Sequence, residues 1–306
     1  MLRVVYLTHV LHDSIDWKAI AEITGYALVS VDVGYRSPGL VVGVRRRIPV
    51  RFLVWDSGGF QAFTKGLRVS VEDTIRLYRL AGFFDGDLLV ELDLVPLYND
   101  SRETRFEKIR SNLENYRVMV DVFGDRVLYV VHGWSLEELD YAVSIHRSYD
   151  SKVAVGSYYV TSVISRIPRR VVFARFNDVM RIVRRVYRWV FVLGGSGPNM
   201  VHLSFYVGAN AIDGVSWRNS ALRKELVIPG IGVRALGSSK RRRLSSEDID
   251  VLRQWWKEPI NPFKDMKIEE FLALASRNDT LGFRAVSYTH LRAHETEADL
   301  VCRLLL

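Results

Sequence analysis

Residues able to act as acids, bases or nucleophiles follow short apolar runs at several places in this sequence. The first is Asp56, which ends the apolar run of residues 51–55 and begins the pentapeptide Asp-Ser-Gly-Gly-Phe. An apolar run that stops at an acid and two glycines predicts a strand that carries a carboxylate into a tight turn. The glycines allow the backbone to approach a flat ligand, and Phe60 offers a ring for stacking. Taken alone, the stretch also fits an ordinary strand-to-helix turn.

Later apolar runs end in the same way, which favours a functional site. They end at Asp93, His132, Gly156, Gly194 and Asp213. Carboxylates and imidazoles are the groups that acid–base and nucleophilic catalysis use. Some of these residues also have a structural interpretation: Asp213 as a helix N-cap, His132 as a structural hydrogen-bonding residue, and Gly194 with Gly195 as a plain turn.

The spacing of the apolar runs indicates the fold. Runs near residues 4, 28, 52, 89, 128, 153, 190 and 211 predict eight strands, with helices between most of them. Strands that are apolar throughout are typical of a parallel sheet covered on both faces. We therefore predict an α/β fold, a TIM (β/α)8 barrel over residues 1–235, with a short, mainly helical and basic C-terminal extension over residues 236–286. An open doubly wound sheet is the alternative.

In a barrel, the loops that follow the strands form one mouth, and catalytic residues come from the ends of several strands. Three carboxylates (Asp56, Asp93 and Asp213), one imidazole and three glycine turns would converge there. Packing requirements do not explain this set of residue types. We therefore expect a catalytic site at the carboxyl ends of the strands.

Composition excludes several classes of protein. The chain has 306 residues, of which 48% are hydrophobic and 25% charged, as in soluble globular proteins. No apolar run approaches the roughly 18–20 residues of a membrane span, and the first residues lack the apolar core of a signal peptide. We expect a cytoplasmic protein without membrane contact. The single cysteine, Cys302, excludes an internal disulfide and a cysteine-based zinc site within this chain.

The charge balance favours a polyanionic partner. The formal net charge is +8, with 43 basic and 35 acidic residues. Basic residues cluster at 45–47, 169–170, 184–185 and 240–243. Each cluster alone also fits a solvated surface, but together they predict a nucleic-acid partner bound through its phosphates.

The last twenty residues, 287–306, have a different character. They resemble translated sequencing-adapter read-through. We expect this segment to be an artefact that replaces the native C-terminus, so that Cys302, His290 and His294 carry no functional meaning.

Residues 56–61, Asp-Ser-Gly-Gly-Phe-Gln, resemble the signature of the tRNA-guanine transglycosylase superfamily, which includes the queuine- and archaeosine-type tRNA-ribosyltransferases. The later motifs of that family follow in the same order, over roughly residues 50–235. They are Leu92-Asp93 for its second base-binding aspartate, Val131-His132-Gly133 for its Gln-Gly pair, residues 154–157 for its Val-Gly-Gly turn, Leu193-Gly194-Gly195 for its Met-Gly turn, and Ile212-Asp213 for the strand end with its nucleophile.

The resemblance implies an exchange of guanine for a 7-deazaguanine base. Asp213 would attack the anomeric carbon and form a covalent glycosyl-enzyme, and Asp56 would carry the proton of the leaving and incoming base. Asp93 would accept hydrogen bonds from the guanine edge, and backbone amides near Gly156 and Ser157 would meet the base carbonyl. The implied base-binding residues are Ser57, Gly58, Gly59, Phe60, Asp93, His132, Gly133, Gly156, Ser157, Leu193, Gly194 and Gly195.

The chain departs from the family in three respects. His132 stands where the family has Gln. The family's zinc ligands are absent, either because this branch does without the site or because the site lay beyond the artefactual junction, so that no cofactor is expected within this chain. No added RNA-binding domain is expected. Residues 216–218, Ser-Trp-Arg, instead resemble the DpdA-like branch, which inserts 7-cyano-7-deazaguanine into DNA. The expected nucleic-acid contacts are Trp217, Arg218, Lys240, Arg241, Arg242 and Arg243.

Several alternatives stay open at this point. The polymer can be DNA, which the Ser-Trp-Arg run favours, or tRNA. A non-catalytic nucleic-acid-binding subunit is the alternative from another class, and the retained Asp56, Asp93 and Asp213 argue against it. A barrel enzyme that uses carboxylates on a metal is a third reading, which no His-rich ligand set supports. Whether the chain forms a homodimer is also left open.

Overall fold

The computed structural model describes residues 6–7, 17, 25–146, 151–156, 158, 165–195, 198–214, 219–220, 222–228, 232–236, 242–256 and 265–277. The chain forms two compact units. The first contains residues 1–195 and 207–213, and the second contains residues 196–206 and 214–306. In the described part of the chain, no helix has both the length and the apolar character needed to span a membrane.

The first unit is built on parallel strands. They are β1 (Tyr6–Leu7), β2 (Tyr26–Ser30), β3 (Phe52–Asp56), β4 (Leu88–Val90), β5 (Val127–Leu128), β6 (Val130–Val131), β7 (Lys152–Val155), β8 (Trp189–Val192) and β9 (Ala211–Asp213). One sheet has the order β2-β3-β4-β5 and the other has the order β1-β9-β8-β7-β6. Every neighbouring pair within these two sheets is parallel.

The two sheets run in the same direction because one stretch of chain belongs to both. Only Tyr129 separates β5, the last strand of one sheet, from β6, the first strand of the other. At the far edges, the backbone of β1 lies beside that of β2. The carboxyl ends of all these strands therefore point the same way.

Helices connect the strands of the first unit. They are α1 (Gly59–Thr64), α2 (Val71–Ala81), α3 (Arg102–Phe123), α4 (Leu136–His146) and α5 (Arg169–Val186). The ends follow local chemistry: Ser70 and Asp73 form a capping box at the start of α2, and Gly82 ends it with a positive φ of 74°. Ser101 caps α3, whose end is followed by Gly124.

A single hydrophobic cluster gathers side chains from every strand between β2 and β9. Its buried members are Leu28, Val54, Leu88, Val90, Leu128, Val130, Ala154, Phe191 and Ala211. These side chains come from both sheets, so the two sheets face one shared interior. Burial of such side chains is the main favourable term in the stability of this unit.

A buried ion pair fixes the beginning of the strands. Asp87 directly precedes β4 and is 1% exposed, and its Oδ2 accepts a hydrogen bond of 2.7 Å from Arg45 Nε. The same carboxylate also accepts hydrogen bonds from the amide of Leu53, the indole of Trp55 and the amide of Phe84. These bonds satisfy a charge that would otherwise be costly to bury.

The second unit is smaller and mixed. Its described elements are α6 (Pro198–Tyr206), the antiparallel strands β10 (Glu225–Ile228) and β11 (Gly232–Ala235), α7 (Ser246–Trp256) and α8 (Ile268–Ala275). Leu226, Leu252, Trp256, Ile268, Phe271 and Ala275 form its core. Arg234 bridges the sheet to α7 through an ion pair of 2.9 Å with Asp248.

The α/β class and the parallel strand pairing are confirmed. A strand is present near each predicted position, although the one near residue 128 is divided into β5 and β6. The sequence pattern also predicts helices over residues 15–24 and 177–187 and a loop-rich segment over residues 214–244. The second helix begins earlier, at Arg169, and residues 214–244 contain the hairpin strands β10 and β11, which are too short for a periodic signal. The helix over residues 15–24 lies outside the described residues, apart from Trp17.

Candidate active site

The turn after β3 requires glycine at its second position. Gly58 has a φ of +72°, and a Cβ built there would lie 2.5 Å from the Cβ of Asp32. A side chain would therefore meet both backbone strain and a steric clash. This turn places Asp56 at the end of β3 and Gly59 at the start of α1. Asp56 lies opposite Ser30 in the register of β2 and β3 and is half-buried.

Ser57 supports the turn from inside the protein. It is fully buried, its Oγ accepts a hydrogen bond of 3.3 Å from the amide of Gly59, and its carbonyl accepts one of 2.9 Å from the hydroxyl of Tyr35. Burial raises the pKa of Tyr35, and the negative charges of Asp56, Asp73 and Asp93 raise it further. Tyr35 therefore stays protonated and donates. No sequence motif marks Tyr35, so its contact with the turn is not predictable from the sequence.

Asp93 packs directly against the glycine turn. A Cβ built on Gly59 would lie 2.9 Å from the carbonyl oxygen of Asp93 and 3.6 Å from its Oδ1. Only a glycine at position 59 allows this approach. The structure thus brings together two segments that are more than thirty residues apart in the sequence.

His132 lies between Asp93 and Gly156. Its Nε2 is 2.8 Å from Asp93 Oδ2, and both side chains are less than a tenth exposed. A Cβ built on Gly156 would lie 2.2 Å from both Nδ1 and Cε1 of His132. The parallel register of Val130 with Ala154 explains this contact, because residues 132 and 156 each follow two positions later on the same face.

The amide of Gly156 is already used within the structure. It donates a hydrogen bond of 3.0 Å to the carbonyl of Val131. The expected role of this N–H in holding a base carbonyl is therefore not supported. Ser157, the other amide expected in that role, lies outside the described residues.

Asp213 ends β9 and is held by the turn after β8. Its Oδ1 accepts a hydrogen bond of 2.5 Å from the amide of Gly194, and the residue is 6% exposed. Gly194 has a φ of +70°, which explains why glycine stands there. Gly195 packs on Ile212, and the amide of Leu193 donates to the carbonyl of Val155. The sequence motif at 193–195 thus positions the carboxylate of Asp213.

Strand alternation puts the candidate residues on the interior face. Val54, Val130 and Ala211 are members of the shared interior cluster. Asp56, His132 and Asp213 each follow one of them by two residues, and side chains two apart on a strand share a face. Asp56 and Asp213 end their strands, and His132 directly follows the end of β6. The structure therefore directs these side chains to the carboxyl ends of strands that run the same way.

A small pocket with aromatic walls opens beside His132. It is lined by Val95, Pro96, His132, Gly133, Trp134, Gly156 and Tyr158. The rings of Trp134 and Tyr158 meet edge to face with centroids 5.2 Å apart. No sequence motif marks either aromatic, although Trp134 stands two residues after His132 and Tyr158 two residues after Gly156.

The remaining site residues differ in how far the structure describes them. Phe60 is half-buried at the start of α1. Gly133 is close to Leu139, since a Cβ there would lie 3.0 Å from its side chain. Trp217, Arg218, Lys240 and Arg241 lie outside the described residues. Arg242 and Arg243 are exposed, and Arg242 lies 3.9 Å from Glu247.

One of the basic clusters is not a free basic surface. Arg45 is 3% exposed and is bound to Asp87, so it has no charge to offer a phosphate. Its neighbours Arg46 and Arg47 are exposed. Arg184 is exposed but donates to the carbonyl of Arg188 and to Asn210. Within the described ranges, no cluster of three or more His, Cys, Asp or Glu side chains could hold a metal ion.

Comparison with known proteins finds a distant relative. No protein-family model matches the chain. Uncharacterized protein 306 of Sulfolobus islandicus rod-shaped virus 1 is 23% identical over 209 residues, which are 68% of this chain and 63% of that protein. The chain therefore spans less than two thirds of the length of the curated relative that it matches.

Proposed function

We propose that the protein is a nucleic-acid guanine transglycosylase, which exchanges a guanine base for a 7-deazaguanine base. The observation that carries the proposal is the contact of Asp93 with both the glycine turn at Gly59 and the ring of His132, at the same strand ends as Asp56 and Asp213. A carboxylate accepts hydrogen bonds, which suits a base with hydrogen-bond donors on its edge.

We also infer that the strands close into a (β/α)8 barrel. The position of β1 beside β2 and the shared interior cluster from β2 to β9 support this inference. In such a barrel the catalytic residues lie at the carboxyl ends of the strands. In support, Asp56 and Asp213 are the last residues of β3 and β9, and Asp93 follows the end of β4 by three residues.

Asp213 is the nucleophile in this proposal. One carboxylate oxygen forms a bond to the anomeric carbon, the bond from that carbon to the guanine nitrogen breaks, and its electron pair leaves with guanine, which takes up a proton. The incoming base loses the corresponding proton, attacks the same carbon and displaces Asp213. The amide of Gly194, 2.5 Å from Oδ1, fixes the orientation of the carboxylate throughout.

Asp56 is the proton carrier. It stands at the end of β3 on the same face as the interior cluster. As a general acid it gives a proton to the leaving guanine, and as a general base it takes one from the incoming base. Tyr35 is unsuited to that role because burial and nearby carboxylates raise its pKa above the ordinary value of 10.0.

The polymer is a nucleic acid, and we favour DNA. The net charge of +8 and the exposed Arg242 and Arg243 suit phosphate contacts. The target nucleotide has to leave its stack to reach a mouth of this kind. The preference for DNA over tRNA rests on the Ser-Trp-Arg sequence at residues 216–218, which lies outside the described residues.

The test is a labelled-guanine exchange assay. The protein is incubated with labelled guanine and with separate pools of DNA and tRNA, and each polymer is then isolated and counted. Label in DNA supports the proposal as stated, and label in tRNA alone moves the substrate to tRNA. Label in neither polymer, with the wild-type protein folded, overturns the proposed exchange.

A further inference from the structure

The backbone that carries Asp93 continues beyond the end of its strand. β4 ends at Val90, and the amide of Glu91 still donates to the carbonyl of Leu128 on the neighbouring strand at 3.1 Å. Residues 92–94 follow this last bond. Because Leu92 and Asp93 are buried, the peptide groups of this segment need partners inside the protein.

Two asparagines of α3 bind this segment on both sides of Asp93. The side-chain amide of Asn112 makes two bonds with Leu94: its Oδ1 accepts from the Leu94 amide at 2.7 Å, and its Nδ2 donates to the Leu94 carbonyl at 3.2 Å. One turn further along α3, Asn115 Nδ2 donates to the carbonyl of Leu92 at 2.8 Å. Asp93 therefore lies between two residues whose backbone is hydrogen-bonded to α3.

Asn112 does not suit its position as a helix residue. It lies in the interior of a 22-residue helix, where asparagine is disfavoured because its side chain competes for the backbone hydrogen bonds. It is also fully buried, where an amide is costly unless both of its polar atoms are bonded. A residue that is unfavourable for its own helix and satisfied only by Leu94 indicates that the contact with Leu94 is what requires it.

The position of the Asp93 carboxylate depends on this backbone. Its Oδ2 is 2.8 Å from His132 Nε2, and its carbonyl oxygen packs on Gly59, where a Cβ would lie 2.9 Å away. The residue is thus held by the glycine turn, by the ring that follows β6 and, through its main chain, by α3. A shift of residues 92–94 would move the carboxylate relative to the other two contacts.

We propose that Asn112 is a positioning residue: together with Asn115, it holds residues 92–94 in the conformation in which Asp93 meets the edge of the base. The inference rests on the proposed function, which makes the ligand of Asp93 a guanine-type base. Both polar atoms of the Asn112 side chain are engaged by Leu94, so its effect on the base passes through Asp93. A displacement of about 1 Å is enough to impair a site that depends on hydrogen-bond geometry.

The first experiment measures the Kd of labelled guanine by equilibrium dialysis, with the full chain and without nucleic acid. Asn112→Leu keeps a side chain of similar size but removes both bonds to Leu94, and we expect its Kd to rise by about tenfold, the effect of losing one hydrogen bond to a charged group. Leu113→Ala is the matched control: this neighbour on α3 is 6% exposed, and its side chain has no hydrogen bond to lose. It should unfold at a lower urea concentration and still bind guanine as wild type does.

The conservative variant Asn112→Asp separates the two hydrogen bonds from the shape of the side chain. A protonated carboxyl group donates one bond and accepts another, as the amide does, whereas an ionised one only accepts. The ratio of its guanine Kd to that of wild type at the same pH should approach one in acid and rise as the carboxyl group ionises, because the donor to the Leu94 carbonyl is then lost. Other titrating groups are common to both proteins and cancel in this ratio. A ratio that falls as the pH rises would contradict the inference.

Steady-state kinetics of label exchange separate positioning from a general loss of structure. Asn112→Leu should raise the KM for guanine more than it lowers kcat, because Asp93 binds the base while Asp213 and Asp56 carry the chemistry. A loss of folded protein would instead lower kcat and leave KM unchanged, which is the result expected for Leu113→Ala if part of it unfolds. A decrease in kcat alone in Asn112→Leu would overturn the inference.

The outcomes separate this inference from the proposed function. If Asn112→Leu binds guanine more weakly but neither DNA nor tRNA gains label with wild type, the exchange is wrong and the role of Asn112 stands. If label is exchanged and folded Asn112→Leu binds guanine like wild type, the role of Asn112 is wrong and the exchange stands. If guanine does not bind wild type, this inference is overturned.

A second variant decides if Asn112→Leu does not fold. Asn115→Leu removes a single bond, that to the Leu92 carbonyl, at a half-buried position of the same helix. Weaker guanine binding by folded Asn115→Leu supports the inference, and binding equal to that of wild type overturns it.

Discussion

The ring of His132 occupies the space that a side chain at Gly156 would take. A Cβ at residue 156 would lie 2.2 Å from two atoms of that ring, well inside van der Waals contact. The glycine that directly follows β7 therefore leaves room for the ring in the position from which His132 bonds to Asp93.

We predict that Gly156→Ala displaces His132 and breaks its bond to Asp93. The extra methyl group overpacks a buried site, which destabilises proteins by about 1–3 kcal/mol, and under the proposed function guanine affinity should fall because the His132–Asp93 contact is lost. Urea unfolding and equilibrium dialysis measure the two effects. Gly86→Ala is the matched control, because nothing lies within 4 Å of a Cβ there. Unchanged stability and affinity in Gly156→Ala would contradict the predicted clash.

Asp213→Asn should abolish guanine exchange while leaving nucleic-acid binding nearly intact. The amide keeps the shape and the contact with the Gly194 amide but lacks the charge needed to attack the anomeric carbon. The measurement is a denaturing gel of protein, nucleic acid and a poor acceptor base. A slow covalent band should form with wild type and with Asp121→Asn, an exposed control on α3, but not with Asp213→Asn. Exchange at the wild-type rate would assign the nucleophile to another carboxylate.

Asp87→Ala should destabilise the fold without a direct effect on the mouth. It removes the anionic partner of Arg45 and leaves a buried positive charge whose remaining hydrogen-bond partners are the carbonyls of Ile48 and Val50, and loss of such a partner typically costs about 3–5 kcal/mol. Asp85→Ala is the control two residues away, since Asp85 pairs with Arg126 on the surface and is 98% exposed. Surface pairs of this kind contribute little. Equal urea midpoints for the two variants would show that the buried ion pair contributes no more to stability than the surface pair.

Glu91→Gln should change how stability depends on pH. Glu91 is fully buried, its Oε1 accepts a hydrogen bond from the Val130 amide at 2.7 Å, and burial raises its pKa well above the ordinary 4.5. The stabilising effect of the neutral acid is thus full below pH 4.5 and is lost as the pH rises toward the folded pKa, by up to about 1.4 kcal/mol per pH unit. Gln keeps the bond and does not titrate.

The check is the difference in urea stability between wild type and Glu91→Gln from pH 4.5 upward. The stability of each protein alone would not isolate Glu91, because His146 also titrates. Burial lowers the pKa of His146 to about 4, so its stabilising effect is present above pH 6.5 and is lost as the pH falls. This effect of His146 is the same in both proteins and cancels when their stabilities are subtracted. Glu107→Gln, exposed on α3, serves as the control. A constant difference across the pH range would contradict a neutral Glu91.

The sequence predicts two of the strand ends: Asp56 and Asp213 are the last residues of β3 and β9. Asp93 and His132 also follow apolar runs, but β4 ends at Val90 and β6 at Val131, so both residues lie after their strands. The sequence does not predict which of these residues touch. Contacts such as that between Asp93 and His132 depend on which strands are adjacent in the sheets, and those strands are far apart in the chain. Tyr35 was missed for the same reason, since it reaches the turn from a different connection.

Charge patterns were less informative than apolar patterns. Arg45, Arg46 and Arg47 are identical in type and adjacent in sequence, yet the first is buried and the other two are exposed. The difference comes from Asp87, forty-two residues later, which provides the buried partner. Local sequence cannot distinguish a structural arginine from one available to a phosphate when the deciding carboxylate is so distant.

The position of Asp87 has a consequence for how this protein can diverge. Its carboxylate holds Leu53, Trp55 and Arg45 at the amino ends of the strands, whereas Asp56, His132 and Asp213 stand at the carboxyl ends. Substitutions that alter recognition therefore fall on residues that do not carry the anchoring bonds of β3 and β4. Related proteins can therefore differ in ligand preference at the carboxyl ends of the strands while they keep the same Asp87 hydrogen bonds at the amino ends.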